Sequence, residues 1–230
     1  MPEQGTAQGS VLSPMLGNIY LHHVLDVWFE EQVKPQLSGE AQLIRFADDF
    51  VICFELPEDA RRVMEVLPKR MGKYGLSLHE DKTRLIPFRR PSSGQKKGKG
   101  PGTFEFLGFM MYWRRTRKGR WAMACKTRHA RMTRAIRNIY EWCRRYRHLP
   151  VAEQHAGLVR RVQGHYNYFG VNGNLQSLSL VRHHVERAWH KWLCRRSQRA
   201  RLNWERFNDM LKDYPLPRPR VCVQIWGSGP

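Results

Sequence analysis

Apolar residues recur along this chain at two different spacings, and the change between them predicts its elements. Ser13-Pro14 marks a helix start, with Ser as the N-cap and Pro at the first helical position. Leu16, Ile19, Tyr20, Val24, Val27 and Trp28 then recur at helical spacing toward Pro35. Gln42 to Phe54 reads as two short strands of bulky apolar residues around a tight turn at Ala47-Asp48-Asp49. Pro57-Glu58-Asp59 opens a second helix with acids in its first turn, and Gly75 closes it. Leu76 to Leu78 and Arg84 to Pro87 read as short extended pieces, and residues 89–102 as a basic Gly- and Lys-rich loop. Phe104 to Tyr112 resumes as a strand, which Lys118-Gly119 turns into a second at Trp121 to Cys125. Beyond Thr127 the spacing is helical: Thr127 to Tyr146, Val151 to Phe169, Leu178 to Arg196 and Trp204 to Leu211. Prolines from Pro215 to Pro219 end the helical part. The pattern predicts an α+β fold: residues 1–113 mixed, 114–214 all-helical, and a tail over 215–230.

Charge sharpens that division. The 230 residues carry 40 Lys+Arg against 20 Asp+Glu, a net charge of +20. Residues 1–113 hold 14 basic and 14 acidic side chains, whereas 114–201 hold 22 basic and three acidic, with Arg outnumbering Lys 19 to 3. Arg presents a planar fork of donors suited to phosphate and stacks on bases, and Trp, Tyr and His are interleaved with it here. A field so one-sided favours a polyanion over a merely solvated face, so nucleic-acid binding is expected. Five scattered cysteines without a C-x-x-C pair argue against a disulfide framework or zinc knuckle and fit a reducing cytoplasm. No apolar run approaches the ~20 residues of a membrane span. His22-His23 and His183-His184 have no Cys or acidic partner at ligand spacing, so they read as surface or RNA-facing residues.

The candidate chemistry sits at Asp48-Asp49. Adjacent acids at the tip of an apolar hairpin repel each other, and turn chemistry alone would place Gly where Phe50 stands. Paired carboxylates suit Mg²⁺, and two such ions can activate a 3′-hydroxyl and stabilise leaving pyrophosphate; a plain acidic turn is the alternative. Gln8 and Gly9 lie in a Gly-rich segment before the first helix, which is either a close-approach loop or an ordinary one. Lys82-Thr83 offers a cation for a triphosphate but is by itself a common pair.

Taken in order, these elements resemble the reverse transcriptase and maturase proteins of bacterial group II introns. Gly5-Thr-Ala-Gln-Gly9 through Leu21 looks like the family's Gln-Gly motif and following helix, with Ala7 where the family usually has Pro. Phe46-Ala-Asp-Asp49 looks like its catalytic palm hairpin, Gly75 to Thr83 like the next block, and Phe106-Leu-Gly-Phe109 like the primer-grip hairpin. Gly164 to Gly170, Trp189 to Leu193 and Pro215 to Pro219 look like the thumb and maturase region. The resemblance implies a partial reverse-transcriptase palm followed by a basic thumb and maturase-like region.

It also implies roles. Asp48 and Asp49 would be the catalytic carboxylates that ligate Mg²⁺, with Gln8, Gly9 and Lys82 near the incoming nucleotide and template. Leu107 and Gly108 would hold the primer terminus. Arg128, Arg131, Arg134, Arg137, Arg144, Arg145, Arg160 and Arg161 would grip RNA. The implied partners are group II intron RNA, an RNA template with its DNA primer, and dNTP. The family's first palm strand, with a third aspartate, and its fingers have no counterpart before Gly5. The expectation is therefore the C-terminal part of a longer polymerase, completed by an upstream fragment or a homodimer. The alternative is a non-catalytic RNA-binding maturase remnant that assists splicing.

Overall fold

The computed structural model describes residues 12–91, 102–197 and 202–225. The chain divides into two compact units, Met1–Arg89 and Arg90–Pro230.

In the first unit, helix α1 (Ser13–Leu21) continues into wider i→i+5 turns at His22–Val27 and Phe29–Val33 and ends in a single 3₁₀ turn, Lys34–Gln36. The helical stripe expected toward Pro35 is therefore present, but the continuous α-helix stops at Leu21. The N-cap is Leu12 rather than Ser13, with Pro14 inside the first turn as expected. Strands β1 (Ala41–Phe46) and β2 (Asp49–Phe54) form an antiparallel hairpin that pairs Phe46 with Asp49 and Ala41 with Phe54. Helix α2 (Pro57–Lys73) follows, and Gly75 takes φ +67° just beyond it. Val24, Leu25, Trp28 and Phe29 pack with Ala41, Leu67 and Met71 as the core of this unit. Buried Asp59 accepts the backbone N–H groups of Ser38 and Gly39, which fixes the approach to β1 against the start of α2. The pieces at Leu76–Leu78 and Arg84–Pro87 form no strand.

The second unit opens with a three-stranded antiparallel sheet, β3 (Phe104–Phe106), β4 (Phe109–Arg115) and β5 (Trp121–Thr127). The single strand expected over Phe104 to Tyr112 is broken at Leu107-Gly108, a two-residue turn with both φ values positive, +49° and +79°. Apolar residues continue through that turn, so periodicity hides it. Helices α3 (His129–Arg145), α4 (Val151–Phe169), α5 (Leu175–Leu193) and α6 (Trp204–Asp213) complete the unit. Their core gathers Leu158, Val162, Tyr166, Val181, Val185, Trp189 and Phe207. Within it, Trp189 Nε1 donates to Gln154 Oε1 (3.0 Å), and Gln154 Nε2 donates to the carbonyls of Leu149 and Arg147, so the buried amide is satisfied.

The compact units meet at residues 89/90, which places the sheet β3–β5 in the second unit. Two contacts explain this. Phe109 and Cys125 bury against Val171 and Phe169. Fully buried Asn174 accepts from the Thr127 N–H and donates to Thr127 Oγ1 and to the Phe169 carbonyl, which ties β5 to the α4–α5 junction.

Candidate functional site

The hairpin β1–β2 turns in two residues, Ala47 and Asp48, and Asp49 is the first residue of β2. Both carboxylates are exposed. Ala47 takes φ +53°, where an L-residue is strained by about 1–2 kcal/mol and Gly would be unstrained. The turn is braced by Arg45 of β1, only 13% exposed in its side chain. Its Nη1 donates to the Ala47 carbonyl (2.9 Å) and to Asn18 Oδ1 (3.0 Å). Its Nε and Nη2 donate to Asp26 Oδ1 and Oδ2, both at 2.7 Å, a two-pronged pair with the helical segment that follows α1. His22 Nδ1 also contacts Asp26 Oδ2 at 3.3 Å.

Partial burial pushes the Asp26 carboxyl up. Hydrogen bonds from Arg45 and then His22, together with their charges, outweigh that and hold it below the usual carboxylate value. The same hydrogen bond raises the Arg45 guanidinium above its ordinary value despite burial. Asn18, Asp26 and Arg45 were not among the residues singled out from sequence. A lone charge inside the apolar run Leu43-Ile-Arg-Phe46 was the one available signal.

Lys82 lies exposed in the turn after Leu78, where its N–H donates to the His79 carbonyl (3.1 Å); it makes no ion pair with either carboxylate. Gln8 and Gly9 lie outside the described residues. Among the described residues, no group of three or more His, Cys, Asp or Glu side chains is placed to hold a metal. The carboxylates of Asp48 and Asp49 are nevertheless the hard oxygen donors that Mg²⁺ takes, usually one or two from protein with the remainder from water and phosphate. Asp26, drawn toward the same turn by Arg45, has both oxygens occupied.

In the second unit, Leu107-Gly108 lines an open pocket of about 410 Å³ with Arg131, Arg134, Asn138 and Tyr168. The Tyr168 hydroxyl donates to the Leu107 carbonyl (3.0 Å), and its ring stacks on Phe109. Ala47 and Leu107 are the non-glycine residues with positive φ among the described residues, and each has its carbonyl tied by a side chain from outside the turn. The structure thus brings two of the expected RNA-facing arginines to the expected primer-grip turn. Tyr168, one of the aromatics interleaved with the arginines, is what holds that turn.

All eight arginines are exposed. Arg128 pairs with Glu105 (2.8 Å), Arg144 approaches Glu141 (3.6 Å), and Arg145 and Arg161 lie over Tyr146 and Trp142. Arg131, Arg134, Arg137 and Arg160 make no ion pair among the described residues. Such unpaired, solvated guanidinium groups are the ones free to meet phosphate.

Among the described residues, no helix is long and apolar enough to cross a membrane. No curated protein matches the chain. Residues 1–111, which include Asp48, Asp49 and Leu107-Gly108 but none of the helices from α3 onward, match the family model described as reverse transcriptase (RNA-dependent DNA polymerase).

Proposed function

We propose that this chain carries the carboxylate-bearing part of an RNA-directed DNA polymerase of group II intron type, joined to helices that bind intron RNA. The observation that supports it most is the exposed Asp48-Asp49 pair on a strained, Arg45-braced turn within a segment matching reverse transcriptases. Asp48 and Asp49 would hold Mg²⁺. The chemistry that the ion supplies when bound is activation of a primer 3′-hydroxyl and neutralisation of the leaving pyrophosphate. Arg45 holds the backbone of the turn that carries the two carboxylates, and a reaction governed by positioning requires a fixed backbone there. Lys82, Gln8 and Gly9 attend the nucleotide and template, and Leu107-Gly108 the primer terminus. The exposed arginines of α3 and α4 grip the RNA backbone.

The test is primer extension on an RNA template with dNTP and Mg²⁺, comparing the chain with Asp48→Asn, alongside RNA binding across a salt series. Extension that disappears in Asp48→Asn supports the reading. Replacing Arg131, Arg134 and Arg137 together should flatten the log-affinity versus log-salt slope by about 2, at ~0.7 per phosphate contact on a single strand. Tight, salt-sensitive RNA binding by a wild-type chain that extends nothing would overturn the polymerase part. The non-catalytic maturase remnant would then be the better account.

A further inference from the structure

A second groove, which none of the eight arginines named above lines, lies between α3, α5 and α6. It is open, about 450 Å³, and is lined by Tyr140 of α3, by His184, Arg187, His190 and Lys191 of α5, and by Trp204 of α6. Among the described residues, no acidic side chain lines it. Three acids adjoin its residues in sequence: Glu186 is occupied by Arg182 at 2.9 Å, Glu141 faces Arg144 at 3.6 Å, and Glu205 follows Trp204 without lining the groove.

Two features set it apart from a merely basic surface. Trp204 is 48% exposed, yet it is held in place. One side of it stacks on His190 with centroids 4.0 Å apart and planes 15° from parallel, and it meets buried Phe207 edge-on. His190 is itself fixed, because its Nε2 donates to the Leu202 carbonyl (2.8 Å). A large aromatic ring is therefore presented to solvent without rotational freedom to lose on binding. The cations beside it are also available. Lys191 Nζ donates to the Tyr140 hydroxyl (2.7 Å) and keeps further N–H donors, and Arg187 makes no ion pair among the described residues.

A pre-positioned aromatic face flanked by cations, in a groove whose described lining is free of carboxylates, combines base stacking with backbone neutralisation. We propose that this groove is a base-stacking site for single-stranded RNA, with a nucleobase on Trp204 and its phosphates at Arg187 and Lys191. It shares with the function proposed above only the nucleic-acid partner, and it does not depend on Asp48 or on polymerisation.

The experiment compares binding of a labelled oligouridylate with binding of its abasic counterpart, for the wild-type chain, Trp204→Ala and Trp204→Phe. The wild type should prefer the base-bearing strand by about tenfold. Trp204→Ala should erase that preference without changing the salt slope, and Trp204→Phe should keep most of it. Because Trp204→Ala also removes packing on Phe207, the wild type is cross-linked in parallel to 5-iodouridine RNA, and the modified residue should be Trp204 or Tyr140. A preference that survives in Trp204→Ala, equal binding of both strands by the wild type, or cross-links confined to other residues would overturn the proposal. So would displacement of the RNA by oligoglutamate as readily as by unlabelled oligouridylate. Each of these can occur with primer extension intact, so the two readings fail separately.

Discussion

Replacing Arg45 by Met keeps an unbranched apolar stem and removes every polar contact that Arg45 makes to brace the carboxylate turn. Asp26, 26% exposed, then keeps only His22, and the strained Ala47 carbonyl loses its donor. Breaking a fully buried pair costs ~3–5 kcal/mol, and partial exposure of Asp26 brings the expectation for opening the β1–β2 hairpin to about 2–3 kcal/mol. A cycle with Asp26→Asn should give a coupling of about 2 kcal/mol. Hydrogen exchange of the Ala41–Phe54 amides, read by mass spectrometry, reports that opening separately from the second unit. The pH dependence has a definite sign. Asp26 is depressed in the folded chain, so its contribution is fully present above the unfolded carboxylate value near ~3.9 and is lost as pH falls through the lower folded value. The gap between wild type and Arg45→Met should therefore stay level from neutral pH to about 5 and shrink at more acid pH. A coupling below ~0.5 kcal/mol, or a gap unchanged down to pH ~3, would refute the brace.

The second unit offers two further tests. Tyr168→Phe removes the donor to Leu107 and should loosen the Leu107-Gly108 turn by about 1 kcal/mol, seen as faster exchange at Phe106–Met110 while exchange in the core of α5 is unchanged. Gly157 lies under the Trp142 ring, where an added Cβ would overlap Trp142 Cζ2, so Gly157→Ala should lower stability by about 1–3 kcal/mol in thermal unfolding. A smaller alanine effect would mean that Trp142, with the Arg161 guanidinium over its ring, moves aside freely.

What the sequence disclosed and what it withheld follow one physical line. Asp48-Asp49 stood out because acids at the tip of an apolar hairpin are unusual within a window of a few residues. The limits of α4 were legible because Pro150 and Gly170 bracket an amphipathic stretch. The brace was not legible, since Asn18 and Asp26 reach Arg45 from a different element and only the fold joins them. The Leu107-Gly108 turn was legible through resemblance but not through periodicity, because its first residue is as apolar as the strands around it. Helix α5 starts at Leu175, three residues before the expected Leu178, and directly after Asn174, whose side chain is engaged by Thr127 and Phe169. That same engagement, across 47 residues of sequence, draws β3–β5 into the second unit, and no local pattern announces it.

Asn174 has a mechanical consequence as well. Its amide grips the end of β5 and the last carbonyl of α4, while one residue earlier Tyr168 grips the Leu107-Gly108 turn. Three points of the sheet and helix are thus pinned within two successive residues of α4 and one of the linker that follows. A strand drawn across the Leu107-Gly108 turn cannot push that turn aside without also pulling on the foot of α5. Load applied at the turn is carried into the helical core, as by a lever seated on its pivot, and is not absorbed by a compliant hairpin.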